Sequence, residues 1–323
     1  MATHIAHLGA SPSQPLAGGP SSLALVGELR RHRAALVVVL VALVATVLAG
    51  CGTSEPTVPP IPVGPPLRSG APGTAAPPAT SAAVAPKGLL APLPPIGSRT
   101  GPRVCERFGS VPVAGGRYEV QNDAWGADTP QCTTAFDTGF SVQADHDKDS
   151  GPAAYPSIVD GCNHGTCTQR SPFPRPIADL GDVRSSWAVT TPAKGDYNVA
   201  YDVWLDPTAR RDGDNTGAEL MIWLDHTDRV QPIGSKSATA QLGGARWDVW
   251  TGDNNGVPVI SYVRQQPTKV VLDLPVSDFV RDAIGQGVVQ PNWFLTNLQA
   301  GFEPWIGGSG LSTDAFAVTR NGV

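Results

Sequence analysis

Two short runs of this chain set a carboxylate and a tryptophan at strand spacing: Gly217-Ala-Glu-Leu-Met-Ile-Trp223 and Gly301-Phe-Glu-Pro-Trp305. In a strand, residues i, i+2 and i+4 share a face. Glu219, Met221 and Trp223 therefore line one side, with Leu220, Ile222 and Leu224 behind them. Glu303 and Trp305 likewise share a side, with Phe302 behind. A third run, Tyr197–Asp206, puts Ala200, Asp202, Trp204 and Asp206 on one face and Tyr201, Val203 and Leu205 on the other. Such a pattern predicts a sheet with a packed back and a polar, aromatic front. Two carboxylates flanked by aromatic platforms are what glycoside hydrolysis requires. A third carboxyl beside one of them can hold a proton and set its neighbour's ionisation. A single strand acid is most often a solvated surface charge; three that alternate with aromatics in three runs are not explained that way.

The elements that must carry these faces occupy only part of the chain. No Phe, Trp or Tyr precedes Phe108, and all eight tryptophans lie between Trp125 and Trp305. A Pro-, Ala-, Gly- and Ser-rich segment without aromatics cannot bury enough surface to offset its ordering entropy. Residues 1–51 read as an export signal: Arg30, Arg31 and Arg33 precede an apolar run from Ala34 to Ala49, which ends Leu48-Ala49-Gly50-Cys51. That ending resembles a bacterial lipobox, in which the cysteine is lipidated. The plainer alternative is a membrane-spanning anchor, since the run nearly reaches the ~20 residues needed. Either places the domain outside the cytoplasm, at the cell surface or extracellular, anchored to a membrane through its N-terminus. Residues 52–99 read as a stiff linker, with 13 prolines between positions 52 and 98. Residues 100–323 form the expected globular domain.

Residues 1–99 hold six Lys/Arg and two acids, which leaves 17 basic and 26 acidic residues in the domain. That balance argues against nucleic acid as a partner. Besides Cys51 there are four cysteines, Cys105, Cys132, Cys162 and Cys167. An even number in an exported domain predicts two disulfides. Cys162 and Cys167 close a short loop and are expected to pair, leaving Cys105 for Cys132. His164 lies inside that loop, but the spacing matches no zinc pattern, and no metal site is expected. His146 and His226 sit in polar sequence and read as solvated.

Turn-rich breaks recur through the domain, among them Asp212-Gly-Asp-Asn-Thr-Gly217 and Asp253-Asn-Asn-Gly256, with short alternating runs between them. This predicts an all-β sandwich of two antiparallel sheets. Pro275 to Gly287 breaks the pattern, with Val276, Phe279, Val280 and Ile284 at helical spacing and Ser277 as N-cap. That is one helix on the convex back.

The motifs Tyr155-Pro-Ser-Ile158, Gly161-Cys162, Ser186-Trp187, Tyr197-Asn-Val-Ala-Tyr-Asp-Val-Trp204, Gly217-Ala-Glu-Leu-Met-Ile-Trp-Leu224, Trp247-Asp-Val-Trp250, Ile260-Ser-Tyr262 and Gly301-Phe-Glu-Pro-Trp305 resemble glycoside hydrolase family 12. The resemblance runs in order through nearly all of residues 105–320. It implies a β-jelly roll with an open substrate cleft and retaining endo-hydrolysis of β-1,4-glucan, with no metal or organic cofactor. It further implies Glu219 as nucleophile, Glu303 as general acid/base and Asp202 as hydrogen-bond partner of the nucleophile. Trp125 and Trp223 fall on residues lining sugar subsites, Asn122 lies in the same cleft motif, and Met221 stands between Glu219 and Trp223. There are departures: Asp123 replaces the second of two asparagines, Asn163-His164 stands where many bacterial members have His-Trp, and Gly256-Val-Pro258 lacks an aromatic that several members carry. These bear on substrate preference, not on the two glutamates. A monomer acting on a β-glucan is expected. The alternatives are the same fold cutting xyloglucan or mixed-linkage glucan, and an inactive sugar-binding surface lipoprotein.

Overall fold

The computed structural model describes residues 91–321. The expected export signal, Cys51 and most of the expected linker lie outside the described residues. Ala91, inside the segment read as linker, is fully buried: its N–H donates to Asp273 Oδ1 (3.2 Å), and its carbonyl accepts from the Ser186 hydroxyl.

In chain order the elements are β1 (Arg103–Val104), β2 (Ser110–Val113), β3 (Tyr118–Gln121), β4 (Gln131–Phe136), β5 (Gly139–Asp147), β6 (Ser157–Asn163), β7 (Thr166–Cys167), β8 (Arg175–Pro176) and β9 (Val183–Thr190). There follow β10 (Asp196–Asp206), β11 (Ala218–His226), β12 (Ser235–Leu242), β13 (Ala245–Asn254), β14 (Val257–Arg264), β15 (Val270–Pro275), α1 (Val276–Gly285), β16 (Phe294–Gly308) and β17 (Ser312–Arg320). The front sheet runs β2–β3–β6–β16–β10–β11–β14–β13–β12. The back sheet runs β1–β4–β5–β17–β9–β15. This is the expected jelly-roll sandwich with one correction. β11 and β14 pair in parallel, because the β12–β13–β14 meander folds back and lays its last strand beside β11. β5 belongs to both layers: it pairs with β4 and β17 in the back sheet, and its end pairs with Ile306–Gly308 of β16 in the front.

The alternation read from sequence is the alternation of the core. Tyr201, Val203, Leu205, Leu220, Ile222, Leu224 and Phe302 turn inward against Phe140, Trp187 and Phe316 of the back sheet. Trp187 meets the rings of Tyr201 (4.9 Å) and Phe302 (6.0 Å), and its indole N–H is satisfied by Thr313 Oγ1 at 3.1 Å. Burying side chains of this size supplies the main favourable term of folding. Helix α1 drives Phe279 edge-on into Trp247 and Tyr262 on the inner face of β13 and β14. Ser277 does not cap it. The helix begins two residues earlier than that cap implies, at Val276; Pro275 holds the N-cap position with no side-chain cap, and Ser277 is buried inside the first turn. The two disulfides join Cys105 to Cys132 and Cys162 to Cys167, the pairings expected from spacing.

Candidate active site

Strand β10 is the axis of the site. Its neighbours are β11, which carries Glu219, and β16, which carries Glu303. Asp202 pairs with Met221 on one side and Gln299 on the other; Trp204 pairs with Glu219, and Asn198 with Glu303. Paired residues point to the same face of a sheet, so the register alone sets three carboxyls on the front. Asp202 lies diagonally across the β10–β11 pair from Glu219. Between them and Glu303 the small residues Ala200 and Gly301 keep the floor low. Gly301 is also where β6 comes close: a Cβ there would stand 2.4 Å from the Pro156 carbonyl oxygen.

Asp202, Glu219 and Glu303 line a pocket of about 1020 Å³, together with Trp125, Met221, Trp223 and Trp305. Each acid has a distinct set of partners. The Asn198 amide clamps Glu303 twice: Nδ2 donates to the carboxylate, and Oδ1 accepts from the Glu303 backbone N–H at 2.9 Å. The Asn254 side chain, at the end of β13, hydrogen-bonds Glu219. The Trp204 indole donates to Asp202 Oδ2 at 2.8 Å, while the buried Oδ1 has no hydrogen-bond partner among the described residues.

All three carboxyls titrate above their ordinary range. Burial raises Glu303 to about 7, against the pull of Asn198. Burial, then the charge of Glu303, raises Glu219 to about 8. Burial, then the charge of Glu219, raises Asp202 well above the carboxylate range, against the Trp204 hydrogen bond. Carboxylates this close cannot all ionise cheaply, so near neutral pH the cluster retains protons. Tyr155 closes the floor. Its hydroxyl donates to the Ala200 carbonyl (2.9 Å), and its phenol is held up by burial and then by the acids around it.

Trp125, Trp223 and Met221 line the pocket as expected, but Asn122 does not. β3 ends at Gln121, the next side chain turns inward, and Asn122 is fully buried, donating to the carbonyls of Glu106 (3.0 Å) and Gln131 (3.1 Å). Asp123, in the left-handed region at φ 38°, presents its carboxyl to the pocket instead, and burial pushes it up to about 6. His146 is not solvated: it is 1 % exposed, and burial pushes its imidazole down. His226 is half-buried and packs its ring 5.9 Å from that of Trp223. His164 does reach solvent, at the rim, where Nδ1 lies 2.7 Å from Asp214 Oδ1. Asp206, on the same strand as Asp202, lies outside the pocket; it ties down residues 208–216 through Thr208, Arg210 and Thr216.

Other pocket or site residues were not singled out from the sequence: Phe108, Asn198, Asn254 and Gln299. Continuing the β10 face back from Asp202 by twos reaches Asn198, so its signal was present. Phe108, 70 % exposed on the pocket rim, is the first aromatic of the chain.

A family model described as glycosyl hydrolase family 12 matches residues 116–321. A probable cellulase, Cel12b, from Mycobacterium tuberculosis is 31 % identical over 149 residues, covering 46 % of this chain and 97 % of that protein. A xyloglucan-specific endo-beta-1,4-glucanase A from Aspergillus niger is 30 % identical over 203 residues, 59 % of this chain and 80 % of that one. Among solved structures, the endoglucanase cel12A from Rhodothermus marinus superposes with a TM-score of 0.65 at 43 % identity, covering 68 % of this chain and 98 % of that chain. The family match takes in every acid of the pocket and the strands that aim them. This chain belongs to glycosyl hydrolase family 12 and is a glycoside hydrolase.

Proposed function

We propose that the protein hydrolyses internal bonds of β-1,4-linked glucans with retention of configuration, through a covalent glycosyl-enzyme. The observation that carries this reading is the placing of Glu219 and Glu303 on one face, on the two strands flanking β10, close enough for the charge of one to weigh on the other. A Glu219 carboxylate oxygen attacks the anomeric carbon. The bond from that carbon to the leaving oxygen breaks, and Glu303 gives that oxygen its proton. Glu303, now ionised, takes a proton from water as the water attacks the same carbon and releases Glu219. Two inversions leave the β configuration unchanged.

The scheme needs Glu219 ionised and Glu303 protonated. Taken singly, Glu219 at about 8 would hold its proton above Glu303 at about 7, the reverse of this need. Because the pair shares the difficulty of double ionisation, a hydrogen bond donated to Glu219 decides where the proton rests. Asp202 biases that choice. Held protonated by burial, it has a hydrogen to give, its Oδ1 is otherwise unpartnered, and Glu219 is its diagonal neighbour. A Glu219 carboxylate accepting that hydrogen is stabilised as the anion, and the remaining proton stays on Glu303. Trp125, 46 % exposed, offers a flat apolar face to a sugar ring, whereas Trp223, 2 % exposed with its indole N–H 3.4 Å from Met221 Sδ, backs the pocket wall. The first substrate is an unbranched β-1,4-glucan, supported by the cellulase-named relative; the Aspergillus niger relative supports xyloglucan as the second.

Glu219→Ala tests the mechanism. Hydrolysis should fall by at least about a thousandfold with the fold intact, and azide should restore turnover with an inverted glycosyl azide as product. Wild-type turnover in the variant would refute it. Product analysis on carboxymethylcellulose, barley β-glucan and xyloglucan separates the substrates, and no hydrolysis of any would favour an inactive sugar binder. Export through residues 1–51 with lipidation at Cys51 is proposed from the sequence alone.

A further inference from the structure

A set of contacts that the mechanism does not use joins the strand of Glu303 to Trp125. Trp125 stands on residues 122–130, which have no regular secondary structure, and is 46 % exposed. An exposed indole on an irregular segment is mobile unless other groups fix it. Arg107 holds the backbone, donating to the carbonyls of Ala124 (2.7 Å) and Trp125 (2.9 Å), and the Gly126 N–H donates to the Ala153 carbonyl (2.7 Å). The contact to the ring itself comes from the end of β5. His146 and Asp147 pair with Gly307 and Ile306 of β16, and the Lys148 N–H donates to the Trp305 carbonyl at 3.0 Å. Residues 146–148 are thus bonded to the strand that carries Glu303.

From that anchorage the Lys148 ammonium donates to the carbonyls of Gly126 (2.8 Å) and Pro152 (3.0 Å), and lies 5.6 Å from the centre of the Trp125 ring. An ammonium is a compact charge with three donors. Here it satisfies two electron-rich oxygens and a π face together. The fit is close: a Cβ at position 126 would stand 2.3 Å from the Pro152 carbonyl oxygen. Two residues earlier, buried His146 secures the far end of the same segment. Its Nδ1 meets the Thr129 hydroxyl, and its Nε2 lies 2.9 Å from Gln131 Oε1; the Gln131 amide in turn donates to the Asn122 carbonyl.

We propose that Lys148 is a positioning residue for substrate binding: it holds the Trp125 indole in place beside the strand of Glu303, so that a glucan ring stacks on it without first having to order the segment. The inference rests on the reading of Trp125 as a sugar platform and Glu303 as the acid. Loosening the platform should weaken binding and leave the chemical step, built on β10, β11 and β16, intact.

The test is kcat and KM on barley β-glucan for the full chain, as wild type, Lys148→Met, Trp125→Ala and the double variant. Lys148→Met should raise KM about tenfold and leave kcat within about twofold. In the Trp125→Ala background the same change should add less than about twofold, because the group it acts through is gone. Lys148→Arg, which keeps charge and donors, should stay within about threefold of wild type. An unchanged KM in Lys148→Met, or a second full tenfold loss in the Trp125→Ala background, would overturn the proposal. So would a fall in kcat at constant KM. Should thermal unfolding show that Lys148→Met does not fold, the same comparison is read from Lys148→Gln. The wild-type arm tests the function itself. A wild-type KM in Trp125→Ala would overturn the platform reading and this inference with it.

Discussion

Replacing Glu303 with Gln is expected to stabilise the fold above neutrality while it removes activity. Burial moves this carboxyl from 4.5 to about 7. Between those values the folded chain keeps a proton that the unfolded chain has released. The contribution of this carboxyl is therefore fully present below about pH 4.5 and is lost as pH rises through the folded value. At about 1.4 kcal/mol per pH unit the displacement is worth about 3 kcal/mol. Glu303 is only half-buried, and solvent screening brings the figure to about 2 kcal/mol. Gln has no proton to lose, and its carbonyl can still accept from Asn198. The change also lifts a charge from Glu219, which then ionises at lower pH. Urea unfolding with the disulfides intact, followed by tryptophan fluorescence, measures the difference from the midpoints at a common slope. The variant should be about 2 kcal/mol more stable than wild type at pH 8.5, and the gap should close by pH 4. An equal gap at both pH values, or a less stable variant at pH 8.5, would show that the carboxyl is not held up by the fold.

Three further outcomes are expected. Asp202→Asn, which keeps a donor but loses the proton that biases the pair, should retain measurable activity with a displaced acidic limb of the pH–rate profile; a variant as inactive as Glu219→Ala would give Asp202 another role. Removing Cys105–Cys132, which spans 27 residues, should cost about 3.5 kcal/mol, and removing Cys162–Cys167, which spans 5, about 2 kcal/mol on the chain-entropy model; urea midpoints of the paired Cys→Ala variants in the reverse order would count against it. Cys51→Ala should abolish incorporation of labelled fatty acid during export, and equal labelling of both forms would point to another anchor.

The strand faces were legible because their cause is local. Alternation in Tyr197–Asp206 and Glu219–Leu224 reports which side is wet, and the register then aligned the acids. Where backbone conformation departs from the strand, alternation stops being informative. β3 ends at Gln121, and the left-handed turn at Asp123 exchanges the roles of Asn122 and Asp123. The burial of His146 was readable in principle: Phe140, Val142, Ala144 and His146 form one buried series along β5. The exposed Gln143, Asp145 and Asp147 that alternate with them mask that period in the sequence. The parallel β11–β14 pair was not readable, since it depends on which distant strand is inserted beside β11. Neither was the Lys148 contact, which needs three separated segments to meet.

Where the hydrogen-bond ladders end has a consequence of its own. A sheet margin offers unpaired backbone groups to any extended chain. Among the described residues the front sheet ends at β2 and β12, and the back sheet at β1 and β15. Each margin is blunted differently. β2 carries Pro112, which has no N–H to give; β12 carries the charged Lys236, paired with Asp248 at 2.9 Å. β1 is two residues long, too short to template a partner. β15 breaks its register between Val271 and Leu274 around the left-handed Asp273, and receives Ala91 there. A second copy of this chain, or an unfolded neighbour, therefore finds no long straight margin on which to add a strand. That protection matters for a β-rich protein, because edge-to-edge growth would otherwise compete with the folded monomeric state.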